Sequence, residues 1–214
     1  YGGNQFPVND DNSPKTFDEL AGKVDFRRLG ILRMDVDNLG SVFIGGFSDN
    51  KRTFSRYSTL SWNLDFFFKG YINKIWERYR DDTYIIYSGG DDLFIVGKWN
   101  KLISFAIDIR DDFRKWTCYN PALTISGGIA IVSPKYPIKR GAIEAGFAEE
   151  LAKGHDSYDQ EGQPVEKNAF TIFGFPLSWD VELPIVIRYK ERITKFFEEG
   201  DHLPHSFFSK TYSY

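Results

Sequence analysis

Four carboxylates stand out by type and position. Asp35 and Asp37 sit at the end of the apolar run Arg28-Leu29-Gly30-Ile31-Leu32-Arg33-Met34-Asp35-Val36, and Asp91 and Asp92 complete the turn Ser88-Gly89-Gly90-Asp91-Asp92. Carboxylates brought within a few ångströms repel one another, so a site built from them calls for a cation. A hard divalent ion suits one or two carboxylates plus phosphate oxygens and water. Two such ions, about 3.5–4 Å apart, can activate an attacking hydroxyl and stabilise a leaving pyrophosphate. Gly89 and Gly90 fit this chemistry, because glycine permits positive φ in a tight turn and lets a triphosphate approach the backbone. A Gly-Gly-Asp-Asp turn alone is a common hairpin tip, and Asp-x-Asp after a strand is often a solvated turn. The two motifs in this order, with a long helix between them, describe a nucleotidyl-transfer palm.

The elements that would position these groups are legible in the periodicity. Residues 28–36 read as a buried strand, after which Gly40, Gly45 and Gly46 break the chain. Tyr57, Leu60, Leu64, Phe67, Phe68, Tyr71, Ile72, Ile75, Trp76 and Tyr79 recur at helical spacing and predict one amphipathic helix over 56–79. Thr83–Tyr87 and Leu93–Val96 read as a hairpin with its tip at Gly89–Asp92. A helix over 100–116, a strand over 123–132, an Ala-rich helix over 138–153 and a strand over 169–173 follow, with a loop at 154–168. The order β-α-β-β-α-β-α-β begins as a split βαβ, ferredoxin-like arrangement. There the first strand lies beside the strand leaving the hairpin, so Asp35 and Asp91 can meet. The fold class expected is α+β: an antiparallel sheet with flanking helices over 26–175, after a lead-in over 1–25 with a short helix at Phe17–Ala21. Residues 176–214 read as the start of a helical domain.

Composition narrows the function classes. Hydrophobic residues make up 42% and charged residues 27%, which is ordinary for a globular chain, and the 17% aromatic content predicts a core filled by rings. The net charge of −3 argues against nucleic-acid binding through global positive charge. One cysteine, Cys118, excludes a disulfide framework within the chain and reads as a small core filler. No apolar stretch reaches the roughly 18–20 residues that span a bilayer, and the N-terminus lacks the pattern of a signal peptide. A reducing, cytoplasmic setting without membrane contact fits. The lack of an initiator Met suggests a piece of a longer protein.

The motifs carry a family resemblance. Met34-Asp35-Val36-Asp37-Asn38-Leu39-Gly40 followed by Tyr87-Ser88-Gly89-Gly90-Asp91-Asp92-Leu93 resembles the large subunit of type III CRISPR effector complexes. That family carries a polymerase/cyclase palm related to the diguanylate cyclase (GGDEF) domain. The Asp-Val-Asp form is closer to the III-A (Csm) branch than to the III-B (Cmr) branch. Gly3-Asn4, Phe17-Asp18-Glu19-Leu20-Ala21, Ser61-Trp62-Asn63-Leu64-Asp65-Phe66-Phe67, Lys167-Asn168-Ala169-Phe170 and Leu203-Pro204-His205-Ser206 extend the resemblance over nearly the whole chain. In one departure, Trp62 stands where the family pattern has Arg.

The resemblance implies conversion of ATP to cyclic oligoadenylate, with Mg²⁺ or Mn²⁺ and release of pyrophosphate, when the complex holds target RNA. It implies Asp35 and Asp91 as metal ligands, Asp92 as a ligand or close supporter, and the Val36 carbonyl as a further ligand. Gly89 and Gly90 would face the phosphates, Ser61 would lie near the adenine, and Lys153 would contact the triphosphate. The partners implied are other complex subunits, crRNA, target RNA, and a second palm completing a paired ATP site. Without the resemblance, Lys153 reads as a surface cation favoured at a helix C-terminus, and Ser61 as a tolerated helix residue. Asp37 and Asn38 read equally as site helpers or as turn residues. His155-Asp156 reads as a loop dipeptide and Asp111-Asp112 as a solvated helix face. Two rivals stay open: a diguanylate cyclase-like enzyme acting on GTP, set apart by Asp92 where that family has Glu, and a catalytically silent scaffold palm.

Overall fold

The computed structural model describes residues 6–22, 26–158 and 161–198. Gly3-Asn4, His202 and Leu203–Ser206 lie outside the described residues. The elements run α1 (Phe17–Leu20), β1 (Leu29–Val36), α2 (Leu39–Gly45), α3 (Phe54–Phe66), a π-helical segment (Phe67–Tyr71), α4 (Ile72–Trp76), β2 (Thr83–Gly89), β3 (Asp92–Lys98), α5 (Trp99–Trp116), β4 (Ile125–Val132) and α6 (Ile138–Lys153). They continue as β5 (Asp156–Tyr158), β6 (Pro164–Glu166), β7 (Ala169–Ile172), β8 (Phe175–Ser178) and α7 (Glu182–Glu198). The main sheet has the order β2-β3-β1-β4-β7-β8, and β5 and β6 form a separate two-stranded ribbon. β1 is antiparallel to both β3 and β4, as the ferredoxin-like reading requires, while β7 joins β4 in parallel.

Apolar side chains on both faces of the sheet explain why β1 is almost wholly buried. Leu32, Met34 and Val36 point into a core shared with the ring-rich π segment, α4 and α5, where Phe67, Phe68, Phe105 and Phe113 are fully enclosed. Leu29 and Ile31 point the other way, into a second core with Leu20, Val96, Ala130 and Ala145. Asp35 shares parity with Leu29 and Ile31, so its side chain emerges on the face covered by α6.

The structure departs from the sequence reading in five places. The helix expected over 56–79 is interrupted at Phe67–Tyr71 by a π segment. Phe67 and Phe68 are adjacent and both fully buried, and a wider turn keeps the apolar stripe on the sheet. The Gly-punctuated stretch after β1 forms α2, a helix without a buried residue. The loop expected over 154–168 contains the β5–β6 ribbon. A further strand, β8, returns against β7 through Phe173-Gly174, both at positive φ (53° and 81°), the backbone of a tight hairpin. Cys118 is exposed instead of filling the core, because Cys118 and Tyr119 take left-handed backbone where the chain reverses after α5. The sheet thus extends to Ser178. Beyond it Trp179 stacks on Phe170 at 4.9 Å and donates its indole N–H to the Ile125 carbonyl at 2.8 Å.

α6 lies close against β4 because Gly128 has no side chain. A Cβ there would stand 2.3 Å from the backbone of Ala148 and Glu149, a separation that only movement of α6 could relieve. Gly128→Ala is expected to destabilise the fold by about 1–3 kcal/mol, as overpacking does. Urea denaturation of the chain measures it, and an unchanged midpoint would show that α6 is free to shift.

Candidate active site at the end of the central strands

The register of β1 against β3 sets Asp35 directly opposite Asp92, and β4 places Ser126 on its other side. Like charges in directly opposed cross-strand positions are destabilising. Asp91 follows at the turn, where its carbonyl accepts from the Val36 N–H at 3.0 Å. Burial, and then the charges of Asp35 and Asp92, hold the Asp91 carboxyl above the ordinary carboxylate range. Three of the four carboxylates singled out in the sequence, Asp35, Asp91 and Asp92, therefore do converge.

α6 delivers a cation to this end of the sheet. Gly141, Ala145, Glu149 and Lys153 recur every four residues, one face of a helix. The series tracks the odd residues of β1. A Cβ on Gly141 would meet Ile31 Cδ1 at 2.1 Å, Arg33 pairs with Glu149 at 3.3 Å, and Lys153 Nζ donates to Asp35 Oδ2. Lys153 also reaches Glu149 at 2.9 Å. Burial depresses the Lys153 ammonium, but its hydrogen bonds to Asp35 and Glu149 outweigh that and hold it above the ordinary lysine value. Lys153 therefore remains charged at neutral pH. Sequence reasoning missed Glu149 and Arg33. The four-residue spacing from Glu149 to Lys153 was the available signal.

The Gly89-Gly90 turn is fastened by α3, which bears Ser61, and by the π segment that follows it. Ser88 Oγ donates to the Phe68 carbonyl, and the Gly90 N–H donates to Asp65 Oδ1 at 3.3 Å. Asp65 is also paired with Lys69 at 2.5 Å. Of the two glycines only Gly90 has positive φ (+71°), with open space where a side chain would stand. Gly89 serves close approach instead: a Cβ would lie 3.1 Å from Lys69 Cε. Ser61 is exposed one turn before Asp65, in a shallow groove with Phe43, Tyr57 and Trp62. Trp62 stacks on Phe66 at 5.4 Å. Asp65 was not singled out in the sequence, where it reads as one polar residue among many on α3.

Asp37 is fully buried. Its Oδ2 accepts from Thr124 Oγ1 at 2.8 Å, Ser126 Oγ at 2.9 Å and the Asn168 N–H at 3.2 Å. Burial raises this carboxyl above its usual range despite those bonds. Asn38 Oδ1 accepts from Lys167 Nζ at 2.6 Å. The remaining polar pairs lie apart from the site. His155 bonds Glu182 at 2.6 Å, joining the end of α6 to the start of α7. Asp111 pairs with Arg110 at 3.2 Å and Asp112 with Lys115 at 2.8 Å on the flank of α5.

Among the described residues no group of three or more His, Cys, Asp or Glu side chains is arranged to hold a metal ion by itself. The donor set nonetheless suits a hard divalent ion: carboxylate oxygens only, mutually repelling, at the end of two central strands where phosphate oxygens and water can complete the coordination.

The family described as Cas10/Cmr2, second palm domain, matches residues 28–161. A Methanocaldococcus jannaschii relative named CRISPR system single-strand-specific deoxyribonuclease Cas10/Csm1 (subtype III-A) is 41% identical over 198 residues, which cover 83% of this chain and 25% of the relative. A Csm1–Csm4 cassette in complex with cA3 superposes with a TM-score of 0.68 at 28% identity, covering 84% of this chain and 27% of that one. A Csm1–Csm4 cassette in complex with one ATP gives 0.65 at 30% identity, covering 82% and 25%. The chain thus spans about a quarter of the length of the curated relatives it matches.

The raised Asp91 carboxyl makes a prediction. A carboxyl held above its ordinary 3.8 in the fold contributes stability only while protonated, and that contribution is lost as pH rises through its folded value. Asp91→Asn is therefore expected to raise the melting temperature of the metal-free chain at pH 7, and Mn²⁺ is expected to raise that of the unaltered chain but not that of the variant. Thermal melts with and without Mn²⁺ test both.

Proposed function

The chain belongs to the Cas10/Csm1 family of subtype III-A CRISPR systems and carries its second palm domain, and from that premise we propose that it supplies half of a site that joins ATP into cyclic oligoadenylate. The observation that carries this reading is the opposition of Asp35 and Asp92 across β1 and β3, with Asp91 beside them and Lys153 within hydrogen-bond reach. That the Csm1–Csm4 cassettes similar to this chain are complexes with ATP, cA3 and cA4 supports the choice of adenine nucleotide.

Asp35 and Asp91, with the Val36 carbonyl and Asp92 as ligand or supporter, would hold Mg²⁺ or Mn²⁺. When bound, such ions neutralise the triphosphate, activate a 3′-hydroxyl and stabilise the departing pyrophosphate. The chain's own groups orient the nucleotide. The open Gly90 backbone admits the phosphates, Lys153 supplies a fixed positive charge, and Ser61, one turn before Asp65 on α3, would lie near the adenine. Attack of a 3′-hydroxyl on the α-phosphate forms the new phosphodiester and breaks the bond to pyrophosphate. Alignment and charge neutralisation carry this chemistry, and no side-chain base is needed.

One palm is half of the arrangement, so the second nucleotide is held by another palm of the full-length protein. The working assembly includes a Csm4-type subunit, crRNA and target RNA. Within the chain we propose a lead-in over 1–25, a palm that begins at 26 and includes β8, which pairs with β7 in the palm's own sheet and carries it past the boundary expected at 175 to Ser178, and a helical region that begins with α7.

In the intact RNA-bound complex, Asp91→Ala/Asp92→Ala is expected to reduce ATP turnover to background, with product identity read by mass spectrometry. Turnover unchanged by the double substitution would leave only a scaffold role, and equal turnover of GTP would favour a guanylate cyclase.

A further inference from the structure

Asp37 lies two residues beyond Asp35, is fully buried, and touches neither Asp91 nor Asp92 through any hydrogen bond. Burying a carboxylate is costly, and all three donors that sustain it come from other segments: Thr124 ahead of β4, Ser126 within β4, and the Asn168 backbone at the start of β7. Lys167 and Asn168 both hold left-handed backbone (φ 61° and 49°), which is unfavourable for Lys167 and better tolerated by an asparagine, and which aims the Asn168 N–H at Asp37. Asn38 is left-handed as well (φ 54°) and is tied to Lys167 at 2.6 Å. The clamp continues outward: Asn168 Nδ2 donates to Asp180 at 2.9 Å, and Asp180 is held by Arg110 at 2.5 Å. Three left-handed residues and a buried acid therefore converge on the two peptides that follow Asp35. Those peptides carry the Val36 amide, bonded to Asp91, and the Asp37 amide, bonded to the Thr124 carbonyl at 2.9 Å.

We propose that Asp37 is a positioning residue. Its buried carboxylate, gripped by Thr124, Ser126 and the Lys167-Asn168 turn, fixes the Asp35–Val36 segment in the orientation needed to receive a divalent ion. The inference rests on the metal-dependent reading of the site given above. It explains why a buried acid follows Asp35 at all, and why a left-handed backbone pair opens β7. Outer groups that orient the ligands of a metal typically contribute about 10–100-fold to affinity.

The test uses the full-length protein in its complex. Mn²⁺ affinity is measured by electron paramagnetic resonance with the non-reacting analogue α,β-methylene ATP, and amide exchange is followed separately without metal. Asp37→Ala is expected to weaken Mn²⁺ binding by about 10–100-fold and to speed exchange of the Val36 and Asp37 amides. Asp37→Asn keeps one acceptor oxygen for the three donors and sets an amide where Asp37 Oδ1 has no partner. It is expected to lower the melting temperature while leaving Mn²⁺ affinity within a few-fold of the unaltered protein. Two results would overturn the proposal: unchanged Mn²⁺ affinity in Asp37→Ala, or Mn²⁺ affinity that falls in both variants in step with their stability. If Asp37→Ala does not assemble, Thr124→Val replaces it. That variant removes one grip, and a several-fold loss supports the proposal while no loss overturns it. Asp35→Ala in parallel separates the two levels. If it leaves Mn²⁺ binding intact, the metal reading of the site fails, whereas its loss beside an indifferent Asp37→Ala sinks only the positioning role.

Discussion

The fold is organised around an electrostatic conflict. Asp35 and Asp92 oppose each other across two central strands, and Asp91 adds a third carboxylate at the turn. Nothing in the hydrogen bonding of a sheet favours that placement. It persists because β1 and β3 cannot slip: a shift by one residue would exchange Leu32, Met34 and Val36 with Leu29, Ile31 and the Glu149-paired Arg33 between the two faces of the sheet. Burying a Leu or Ile side chain contributes about 1.5–3 kcal/mol. Several such residues outweigh the repulsion at the strand ends, so apolar packing on both faces holds the charges where they would not choose to sit.

The same register dictates what α6 must be. Its four-residue series meets β1 with no side chain at Gly141, a small one at Ala145 and charged ones at Glu149 and Lys153, so contact changes from tight packing to ion pairing along one helix face. Gly128 on β4 lets the helix descend far enough for Lys153 to reach Asp35. Glu149, itself buried, steadies Lys153 and Arg33 together. A lysine that reads from sequence as a favourable charge at a helix C-terminus is in the fold the counterion of the site.

Much of this was legible beforehand, for identifiable reasons. Strong periodicity located β1, α5 and α6, and the order of elements placed β1 beside β3, which was enough to bring Asp35 to Asp91 and Asp92. Signals failed where conformation went against residue type. Phe173 in left-handed backbone concealed the hairpin that adds β8, and Cys118, likewise left-handed, faces solvent although free cysteine is usually buried. The π segment was hidden because Phe67, Phe68, Tyr71 and Ile72 satisfy a helical pattern whichever kind of helix they form. Asp65 and Glu149 are ordinary in type and acquire a role only through partners distant in sequence, Gly90 and Arg33.

Several unfavourable features share one end of the sheet, although Phe173, Cys118 and Tyr119 are left-handed elsewhere. Asn38, Lys167 and Asn168 are left-handed, Asp37 is a buried acid, and Asp91 is held above its usual range, all at one end of the sheet. At the opposite end, where Leu29 faces Lys98 and Val132, the β1 ladders are regular and set no like charges opposite each other. Strain of this kind survives only where the surroundings over-determine it. Here the surroundings are the ring-filled core beneath β1 and the Asn168–Asp180–Arg110 chain that ties the strained turn to α5. A sequence selected for stability alone would replace the carboxylates and relax the turn. Retaining both, at the point where a cation and a triphosphate could relieve the repulsion, is the arrangement expected of a site whose lowest-energy state includes its ligands.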